Sequence, residues 1–341
     1  MKLWTALSVL FFSPALFAAA LINGAGASFP YPLYAKWFSE YQKVNPEVQI
    51  NYQSIGSGGG IRQFSQKTVD FGASDAPMTD EQIKEAKEPV VHIPTVLGAV
   101  VVTYNVPEVT KPLQLSGDLV ADIFLGTITK WDDARIKAQN PGVTLPAKAI
   151  LVAHRSDGSG TTNIFTDYLS KVSPAWKEKV GVGTAVKWPT GLGGKGNEGV
   201  AGLVKQTPGA VGYVELIYAK SNDLKFASIK NKAGAFVEPD MKSVTAAAGA
   251  TKIPADFRVS LTDASGKGAY PISGFTYLLV WKKHPDADKG GKLVEFLNWA
   301  VTDGQKYAGD LHYAPLPSSL VPKVQGAIKT LDAKPAAKAK G

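Results

Sequence analysis

Cysteine is absent from this chain of 341 residues, and histidine occurs only four times. Without cysteine the chain has neither a disulfide framework nor a lipid-anchored cysteine. The four histidines include no pair at metal-ligand spacing, so no metal site is predicted. Two catalytic patterns are also missing, because G-x-x-x-x-G-K-[ST] does not occur and G-x-S-x-G does not surround Ser57 or Ser159. We therefore predict no cofactor.

A basic stripe with interleaved aromatic residues is missing as well, although the formal net charge is +8. Part of the positive charge lies at the amino terminus and in residues 331–341, a tail rich in Ala, Lys and Pro that we predict to be disordered. The remaining balance is modest and is not a nucleic-acid footprint, although it helps to attract small anions. We expect no nucleic-acid partner.

The amino terminus has the features of a secretory signal peptide. Lys2 precedes a mostly apolar run over residues 3–17, and alanines at 18–20 offer a cleavage site. The alternative is a retained membrane anchor, but a spanning helix needs about 20 apolar residues and this run is shorter. We predict a signal peptide over residues 1–20, cleavage after Ala20, and a mature protein in the periplasm.

Strand and helix patterns alternate along the rest of the chain. Tyr34 begins a series of aromatic residues at i, i+3, i+4 and i+7, which predicts an amphipathic helix. Thr79 and Gln82 match a capping box at another helix start. Strands are predicted over residues 48–52, 96–102 and 275–281. The alternation predicts an α/β architecture, and the length of the chain suggests two lobes.

Three glycine-rich turns each carry a hydroxyl residue just before a predicted helix. They span residues 23–30, 54–60 and 156–161, and the helix after the second is predicted over 61–67. Glycine lets the backbone approach a ligand closely, and the unpaired N–H groups of a helix start favour anions. Such turns also occur in any α/β fold, which is the alternative explanation. Three in one exported chain favour an oxyanion site.

The third turn belongs to the most informative motif of the chain, at residues 153–162. Arg155 precedes a flexible turn with three hydroxyl side chains, and apolar residues follow at helical spacing from Ile164. Two interpretations remain open from these residues alone. Either the helix start and Arg155 bind an oxyanion, or Asp157 or Ser159 caps the helix and Arg155 lies in solvent.

With a fourth segment at residues 69–77, VDFGASDAP, these turns resemble the periplasmic phosphate-binding protein of the bacterial phosphate ABC transporter. The resemblance covers nearly the whole mature chain and includes residues 131–133, 187–197 and 212–215. It implies a two-lobed periplasmic-binding-protein fold, in which each lobe is a sheet flanked by helices. Phosphate is then held dehydrated in the cleft between the lobes.

The resemblance also implies which residues contact phosphate: Ser28, Phe29, Ser57, Asp75, Arg155, Ser159, Gly160 and Thr161. The family often has threonine at the position of Ser28, and the hydroxyl is retained. Asp75 is the implied acceptor, which would select an anion that brings a proton, as phosphate does near pH 7 and sulfate does not. The alternative makes Asp75 a turn residue that caps its own backbone. Asp157 either orients Arg155 or caps the helix.

The resemblance further implies two crossings between the lobes, which we place near residues 94–98 and 270–273. One lobe is then built from residues 21–95 with 272–341, and the other from residues 96–271. Hinge closure would bury the anion, and the membrane permease subunits of an ABC importer would recognise the loaded form. We expect a monomer.

A secreted phosphatase is the competing class, since His154 adjoins Arg155 and serines occupy the same loop. Phosphatase chemistry needs a nucleophile with an activating base, or a metal cluster. The sequence supplies no partner for His154, so we predict that it is a packed or surface residue and that the protein is not an enzyme. A receptor for another tetrahedral oxyanion, such as sulfate, is the third possibility.

Overall fold

The computed structural model describes residues 19–332, in which strands and helices alternate. The strands are β1 (Ala20–Gly26), β2 (Val48–Ser54), β3 (Phe71–Ser74), β4 (Val90–Tyr104), β5 (Gln114–Leu115), β6 (Leu151–Arg155), β7 (Leu192–Gly194), β8 (Ala210–Glu215), β9 (Lys225–Phe226), β10 (Ser228–Lys230), β11 (Phe236–Val237) and β12 (Ser273–Trp281). The helices are α1 (Tyr31–Val44), α2 (Ser57–Ser65), α3 (Asp80–Glu85), α4 (Gly117–Phe124), α5 (Ala134–Gln139), α6 (Gly160–Val172), α7 (Pro174–Lys179), α8 (Gly196–Gln206), α9 (Leu216–Ser221), α10 (Met241–Gly249), α11 (Ala287–Ala300) and α12 (Val321–Ile328), with short 3-10 helices at Asp303–Tyr307 and Gly309–Leu311. Over residues 19–332, no helix combines the length and apolar character needed to cross a bilayer.

Nine of the strands form one mixed sheet in the order β2-β1-β3-β12-β4-β8-β6-β7, with β9 beside β4. Strands β1, β2 and β3 run parallel, and β12 lies antiparallel between β3 and β4. On the other side β6 is parallel to β7 and β8, and β8 is antiparallel to β4. The mixed α/β architecture predicted from the sequence is confirmed.

Strand β4 is shared by two groups of strands. Up to Ala99 it pairs with β12, and from Val100 it pairs with β8. We call β1, β2, β3 and β12 the first strand set, and β6, β7, β8 and β9 the second. The chain passes between the sets again just before β12, where the N–H of Val100 donates to the carbonyl of Ile272 at 2.8 Å. The two passages therefore lie side by side.

The sequence of β4 explains why it is longer than the predicted strand over residues 96–102. Its apolar residues run continuously rather than alternating, and the strand is buried from His92 to Tyr104, as expected for a strand covered on both faces. The register with β12 shifts between Thr276 and Tyr277, which pair with Val96 and Pro94. A bulge suits this position because proline has no N–H to give to the ladder.

The aromatic series that predicts the first helix forms the buried face of α1. Tyr34, Trp37 and Tyr41 are all buried, and Trp37 donates its indole N–H to the carbonyl of Gly304 at 2.7 Å. The rings of Tyr34 and Trp37 stack with centroids 5.6 Å apart. The aromatic stripe therefore fixes α1 against the first strand set and the carboxy-terminal region.

Helix α2 begins at Ser57, inside the glycine run, rather than at residue 61 as predicted from the sequence. The glycines belong to the helix because its first turn presses on the sheet. A Cβ atom at Gly60 would lie 2.5 Å from the Cα of Gly26 and 2.7 Å from the carbonyl oxygen of Ala25. Glycine lowers helix propensity, but here only glycine leaves room for β1. As a consequence, Ser57 is the first residue of a helix.

The two ends of the chain refine the predicted boundaries. Residues 1–18 of the predicted signal peptide and residues 333–341 of the predicted tail lie outside the described residues. Ala20 is the first residue of β1, and its N–H donates to the carbonyl of Glu47 at 2.8 Å. The prediction that the tail starts at Leu331 is wrong. Leu331 packs against the core, and the N–H of Asp332 donates to the carbonyl of Lys282 at 2.7 Å.

Candidate anion-binding site

The ends of six strands meet in the middle of the molecule. Strands β1, β2 and β3 are parallel, so the turns that follow them lie at one edge of the first strand set. The ends of β6, β7 and β8 come together in the same way in the second set. The residues at or just beyond these ends are Ser28, Ser57 and Asp75 in the first set, and Arg155, Asn197 and Glu215 in the second.

Hydrogen bonds join the two edges directly. The N–H of Gly58 donates to the carbonyl of Gly158 at 2.9 Å, and the N–H of Gly160 donates to Ser57 Oγ at 3.0 Å. A third bond runs from Asn197 Nδ2 to Ser28 Oγ at 2.9 Å. The structure therefore brings together predicted site residues that are far apart in sequence, and it holds the two strand sets in contact around them.

The motif at residues 153–162 combines features of both interpretations left open by the sequence. Ser159 caps α6, because its hydroxyl accepts the N–H of Thr162 at 3.0 Å. Gly160 and Thr161 are the first helical residues and are buried. However, Arg155 does not lie in solvent, since its side chain is only 1% exposed. The helix start and the guanidinium are thus both inside the molecule, where an anion would meet them together.

Asp157 holds the guanidinium of Arg155 rather than capping the helix. Arg155 Nε donates to Oδ1 at 2.8 Å and Nη2 donates to Oδ2 at 2.5 Å, a bidentate pair. The N–H of Gly196 also donates to Asp157 Oδ1, at 3.1 Å. Burial opposes ionisation of this carboxyl, but the hydrogen bonds and charge of Arg155 lower the pKa of Asp157 below its usual value. Arg155 is fixed in orientation, its charge is balanced, and it keeps further N–H groups for an anion.

Ser57 is set up as a donor by the groups around it. Its Oγ accepts two N–H groups, from Gly160 at 3.0 Å and from Asp75 at 3.2 Å. A serine hydroxyl has two acceptor lone pairs and one hydrogen. Because both lone pairs face N–H groups, the hydroxyl can act only as a donor, and the carboxyl of Asp75 is one acceptor within its reach. Ser57 is fully buried, so any acceptor must come from inside the site.

Asp75 is buried just after β3 and does not cap its own turn. The turn is bonded by Ser74, whose Oγ accepts the N–H of Ala76 at 3.2 Å. The carboxylate of Asp75 instead accepts the hydroxyl of Thr276 at its Oδ1, at 2.8 Å. Burial raises the pKa of Asp75 to about 7. The hydrogen bond from Thr276, the charge of Arg155 and the hydrogen bond from Ser57 act in the opposite direction and lower it. The second oxygen, Oδ2, lies on the side of Gly160.

Two tyrosines fix the turn that carries Ser28 and Phe29. Tyr218 donates its hydroxyl to the carbonyl of Ser28, and Tyr313 donates to the carbonyl of Phe29, both at 2.6 Å. All four residues are buried. Satisfying both carbonyls through rigid phenols holds the peptide groups of this turn in one orientation.

Three buried polar residues of this region are not among the residues that the sequence singled out for the site. Asn197 contacts Ser28 and Thr161, Thr276 contacts Asp75, and Glu215 accepts the N–H of Ile217 at the start of α9. Asn197 follows a glycine-rich turn before a helix, the same signal as the other three turns but without a hydroxyl. The other two are single polar residues within or at the end of apolar strands.

Glu215 is a buried carboxyl where β8 meets β4, paired in register with Val100. Its Oε2 accepts an N–H at 2.7 Å, whereas Oε1 has no hydrogen-bond partner among the described residues. Burial raises the pKa of Glu215 well above its usual value, and the charge of Asp75 adds to the effect. Burial therefore disfavours ionisation of this carboxyl in the folded protein.

The raised pKa of Glu215 predicts a pH dependence of stability. A carboxyl whose pKa is higher in the folded state makes its full contribution to stability at pH values below its unfolded-state pKa. It loses that contribution as the pH rises toward its folded-state pKa. As the pH rises from 5 to 8, we expect the free energy of unfolding to fall less in Glu215→Gln than in the wild type. The two decreases should differ by at most about 4 kcal/mol. Urea denaturation in phosphate-free buffer measures this. The control is Glu81→Gln, an exposed glutamate of α3; equal pH slopes for Glu215→Gln and wild type would contradict the prediction.

His154 packs against an aromatic ring, as expected for a residue without a chemical role. Its imidazole stacks on Trp188 with centroids 4.8 Å apart, and Nδ1 lies 3.1 Å from the carbonyl of Arg155. Within residues 19–332 there is no group of three or more His, Cys, Asp or Glu side chains placed to hold a metal ion.

Known proteins are similar to this chain over most of its length. A model of the PBP superfamily domain matches residues 14–303. The phosphate-binding protein PstS of Pasteurella multocida is 48% identical over 328 residues, which cover 95% of this chain and 94% of that protein. The phosphate-binding protein PstS of Haemophilus influenzae is 49% identical over 313 residues, covering 91% of this chain and 92% of that protein.

Solved structures share the fold at lower identity. A high affinity periplasmic phosphate-binding protein, PfluDING, bound with phosphate, has a TM-score of 0.72 at 21% identity and covers 90% of this chain and 93% of its own. The phosphate binding protein from Stenotrophomonas maltophilia has a TM-score of 0.70 at 20% identity, with 90% and 94% covered. The family match and the two PstS relatives show that the chain belongs to the phosphate-binding protein PstS family, within the PBP superfamily.

Proposed function

We propose that this protein binds inorganic phosphate in the periplasm and delivers it to the membrane permease subunits of an ABC phosphate importer. In this proposal it is a receptor and not an enzyme. The observation that carries the proposal is the convergence of hydroxyls, helix starts, the paired Arg155 and the buried carboxyl of Asp75 at the meeting point of the strand sets. The names of the PstS relatives support the choice of anion.

The donors of the proposed site are mostly neutral. Helices α2 and α6 begin beside the site, and their first N–H groups and dipoles favour an anion. The hydroxyls add donors, in the proposal from Ser28, Ser57, Ser159 and Thr161, together with the N–H of Phe29. The N–H of Gly160 donates to Ser57 Oγ at 3.0 Å, and in the proposal it exchanges this partner for the anion. Arg155 supplies the one guanidinium, whose charge Asp157 balances. Phosphate would thus exchange its water shell for dipoles that are fixed in the closed form.

Asp75 supplies the selectivity of the proposed site. Dibasic phosphate keeps one O–H at neutral pH, which it can donate to the carboxylate of Asp75. Sulfate has no proton there, so an acceptor would face an acceptor at a cost of several kcal/mol. The pKa of Asp75, raised by burial to about 7, lies near the second ionisation of a phosphate group, about 6. Above both values Asp75 is a carboxylate and phosphate is dibasic, so the one remaining O–H of the anion, which is far less acidic, donates to Asp75.

We propose that closure of two lobes assembles the site. One lobe consists of residues 21–95 with 272–341, and the other of residues 96–271. The exchange of strand partners between Ala99 and Val100 supports a crossing close to the first of these boundaries. In the proposed mechanism the lobes bend about β4 and the adjacent passage before β12, and they close over the anion.

We further propose that a signal peptide over residues 1–20 directs the chain to the periplasm and is cleaved after Ala20, and that the receptor acts as a monomer. In this location it would meet phosphate that has crossed the outer membrane and hand it to the permease. The closed, loaded form would be the form that the permease recognises.

Titration calorimetry with the mature protein tests the proposed function. We expect phosphate to bind with one site per chain and sulfate to bind at least about a thousandfold more weakly, which corresponds to about 4 kcal/mol. The matched pair of anions separates phosphate recognition from general attraction of oxyanions. Comparable affinities for the two anions, or no heat with phosphate, would contradict the proposal.

A further inference from the structure

We infer that Asn197 is a positioning residue that sets the direction of the hydroxyl hydrogens of Ser28 and Thr161, so that both hydroxyls act as donors toward the bound anion. This inference rests on the proposed function and goes beyond the contacts that the family resemblance implies. Asn197 lies at the start of α8 and is fully buried. It contacts residues of both strand sets.

The orientation of the Asn197 amide is settled by its third partner. The N–H of Glu215 donates to Asn197 Oδ1 at 2.9 Å. A backbone N–H is a donor only, so the atom that faces it must be the amide oxygen. The amide nitrogen therefore faces the two hydroxyls, with Nδ2 at 2.9 Å from Ser28 Oγ and 3.1 Å from Thr161 Oγ1.

This orientation decides what the hydroxyls can do. Ser28 Oγ accepts two N–H groups of Asn197, from Nδ2 and, at 3.2 Å, from the backbone N–H. Both lone pairs of Ser28 are thereby occupied, and only its hydrogen remains for another partner. Thr161 Oγ1 accepts the second amide hydrogen with one of its lone pairs, which directs its own hydrogen away from Asn197. An anion in the cleft accepts hydrogen bonds over most of its surface, so hydroxyls that are oriented as donors can bind it.

The same amide connects the two strand sets. Ser28 follows β1 in the first set, whereas Thr161 and Glu215 belong to the second. The amide uses both of its hydrogens and its oxygen in this link. When the proposed lobes separate, Asn197 remains with Thr161 and Glu215, and Ser28 loses its partner. The donor orientation of Ser28 is therefore fixed only in the closed form.

The test exchanges the amide for an isosteric carboxylate. In Asn197→Asp one oxygen still accepts the N–H of Glu215, but the other accepts hydrogens from Ser28 and Thr161 and turns them away from the anion. We expect the Kd for phosphate to rise at least a thousandfold in Asn197→Asp and about tenfold to fiftyfold in Asn197→Ala, both by calorimetry. Asn163→Asp is the charge control, because Asn163 lies on α6 in the cavity beside Asp75. It should change the Kd less than tenfold.

A double-mutant cycle with Ser28→Ala separates positioning from a merely structural role. If Asn197 acts through the hydroxyl of Ser28, the effect of Asn197→Ala should shrink at least threefold when that hydroxyl is absent. Thermal unfolding confirms that each variant is folded. If Asn197→Asp does not fold, the cycle with Asn197→Ala decides the question.

The outcomes distinguish this inference from the proposed function. If the wild type binds phosphate tightly but the effects in the cycle are independent, only the role of Asn197 is overturned. The same holds if Asn197→Asp and Asn163→Asp lose equal amounts of phosphate affinity. Wild-type protein that does not bind phosphate would overturn the proposed function and the inference with it.

Discussion

Replacing Asp75 with asparagine should lower the preference for phosphate over sulfate by about tenfold at pH 8, because a carboxyl with a pKa of about 7 is protonated in only about one molecule in ten at that pH. Thr276 donates to Oδ1 of Asp75, so in Asp75→Asn the amide oxygen takes that place and the amide nitrogen replaces Oδ2. A donor would then face the anion where the wild type presents an acceptor. Sulfate gains a hydrogen bond and loses a repulsion, while phosphate turns its O–H elsewhere. Competition calorimetry with both anions at pH 8 measures the ratio.

The pH dependence of the wild type provides an internal check on this substitution. Because the pKa of Asp75 is raised to about 7, the carboxyl becomes protonated as the pH falls from 8 to 5. A protonated Asp75 can donate to sulfate, so sulfate affinity should rise toward low pH in the wild type and stay nearly constant in Asp75→Asn. Asp80→Asn, an exposed aspartate of α3, is the control. A selectivity unchanged by Asp75→Asn at pH 8 would refute the mechanism.

Adding a single methyl group at Gly160 should weaken phosphate binding about a hundredfold. A Cβ atom there would lie 2.5 Å from Ser57 Oγ and 2.6 Å from Asp75 Cβ and Oδ2. These atoms belong to the opposite strand set, so the methyl group would hold the two edges apart. Overpacking of this kind costs about 1–3 kcal/mol, and the bond from the N–H of Gly160 to Ser57 Oγ would be lost as well. Calorimetry of Gly160→Ala gives the loss directly.

The matched control for Gly160→Ala is Gly202→Ala. Gly202 lies in α8, and a Cβ atom at this position meets nothing within 4 Å. Replacing a helical glycine by alanine where the Cβ position is open stabilises a helix by up to about 1 kcal/mol. We expect Gly202→Ala to raise the melting temperature and to bind phosphate within twofold of the wild type. Binding by Gly160→Ala within threefold of the wild type would show that the edges have room to spare.

The sequence predicted the elements that carry a local signal, either a regular spacing of aromatic residues or a capping box. Aromatic spacing from Tyr34 predicts α1, and the capping box at Thr79 and Gln82 marks the start of α3. The start of α2 could not be predicted in this way, because helix propensity disfavours the glycines that the first turn contains. Their presence is explained only by the approach of α2 to β1, a tertiary contact. The length of β4 has the same kind of cause, since a strand covered on both faces lacks alternation.

The functional residues divide along a similar line. Ser28, Ser57, Asp75 and Arg155 occur in local patterns that resemble a known family, and the structure brings them together. Asn197 makes three side-chain hydrogen bonds to two strand sets, and no local pattern contains all of its partners. Thr276 follows Asp75 by 201 positions in sequence, and only the pairing of β3 with β12 brings them into contact. A single sequence shows which side chains are polar, but not which of them meet.

The bond between the N–H of Gly58 and the carbonyl of Gly158 involves main-chain atoms alone. A Cβ atom at either glycine would approach the Cα of the other to 3.1 Å, so the contact depends on two glycines and on no functional group of a side chain. Evolution can therefore exchange the surrounding hydroxyls, amides and carboxyls and still keep this one bond between the two edges. Descendants of such a receptor could acquire a different anion while they inherit the same closing contact.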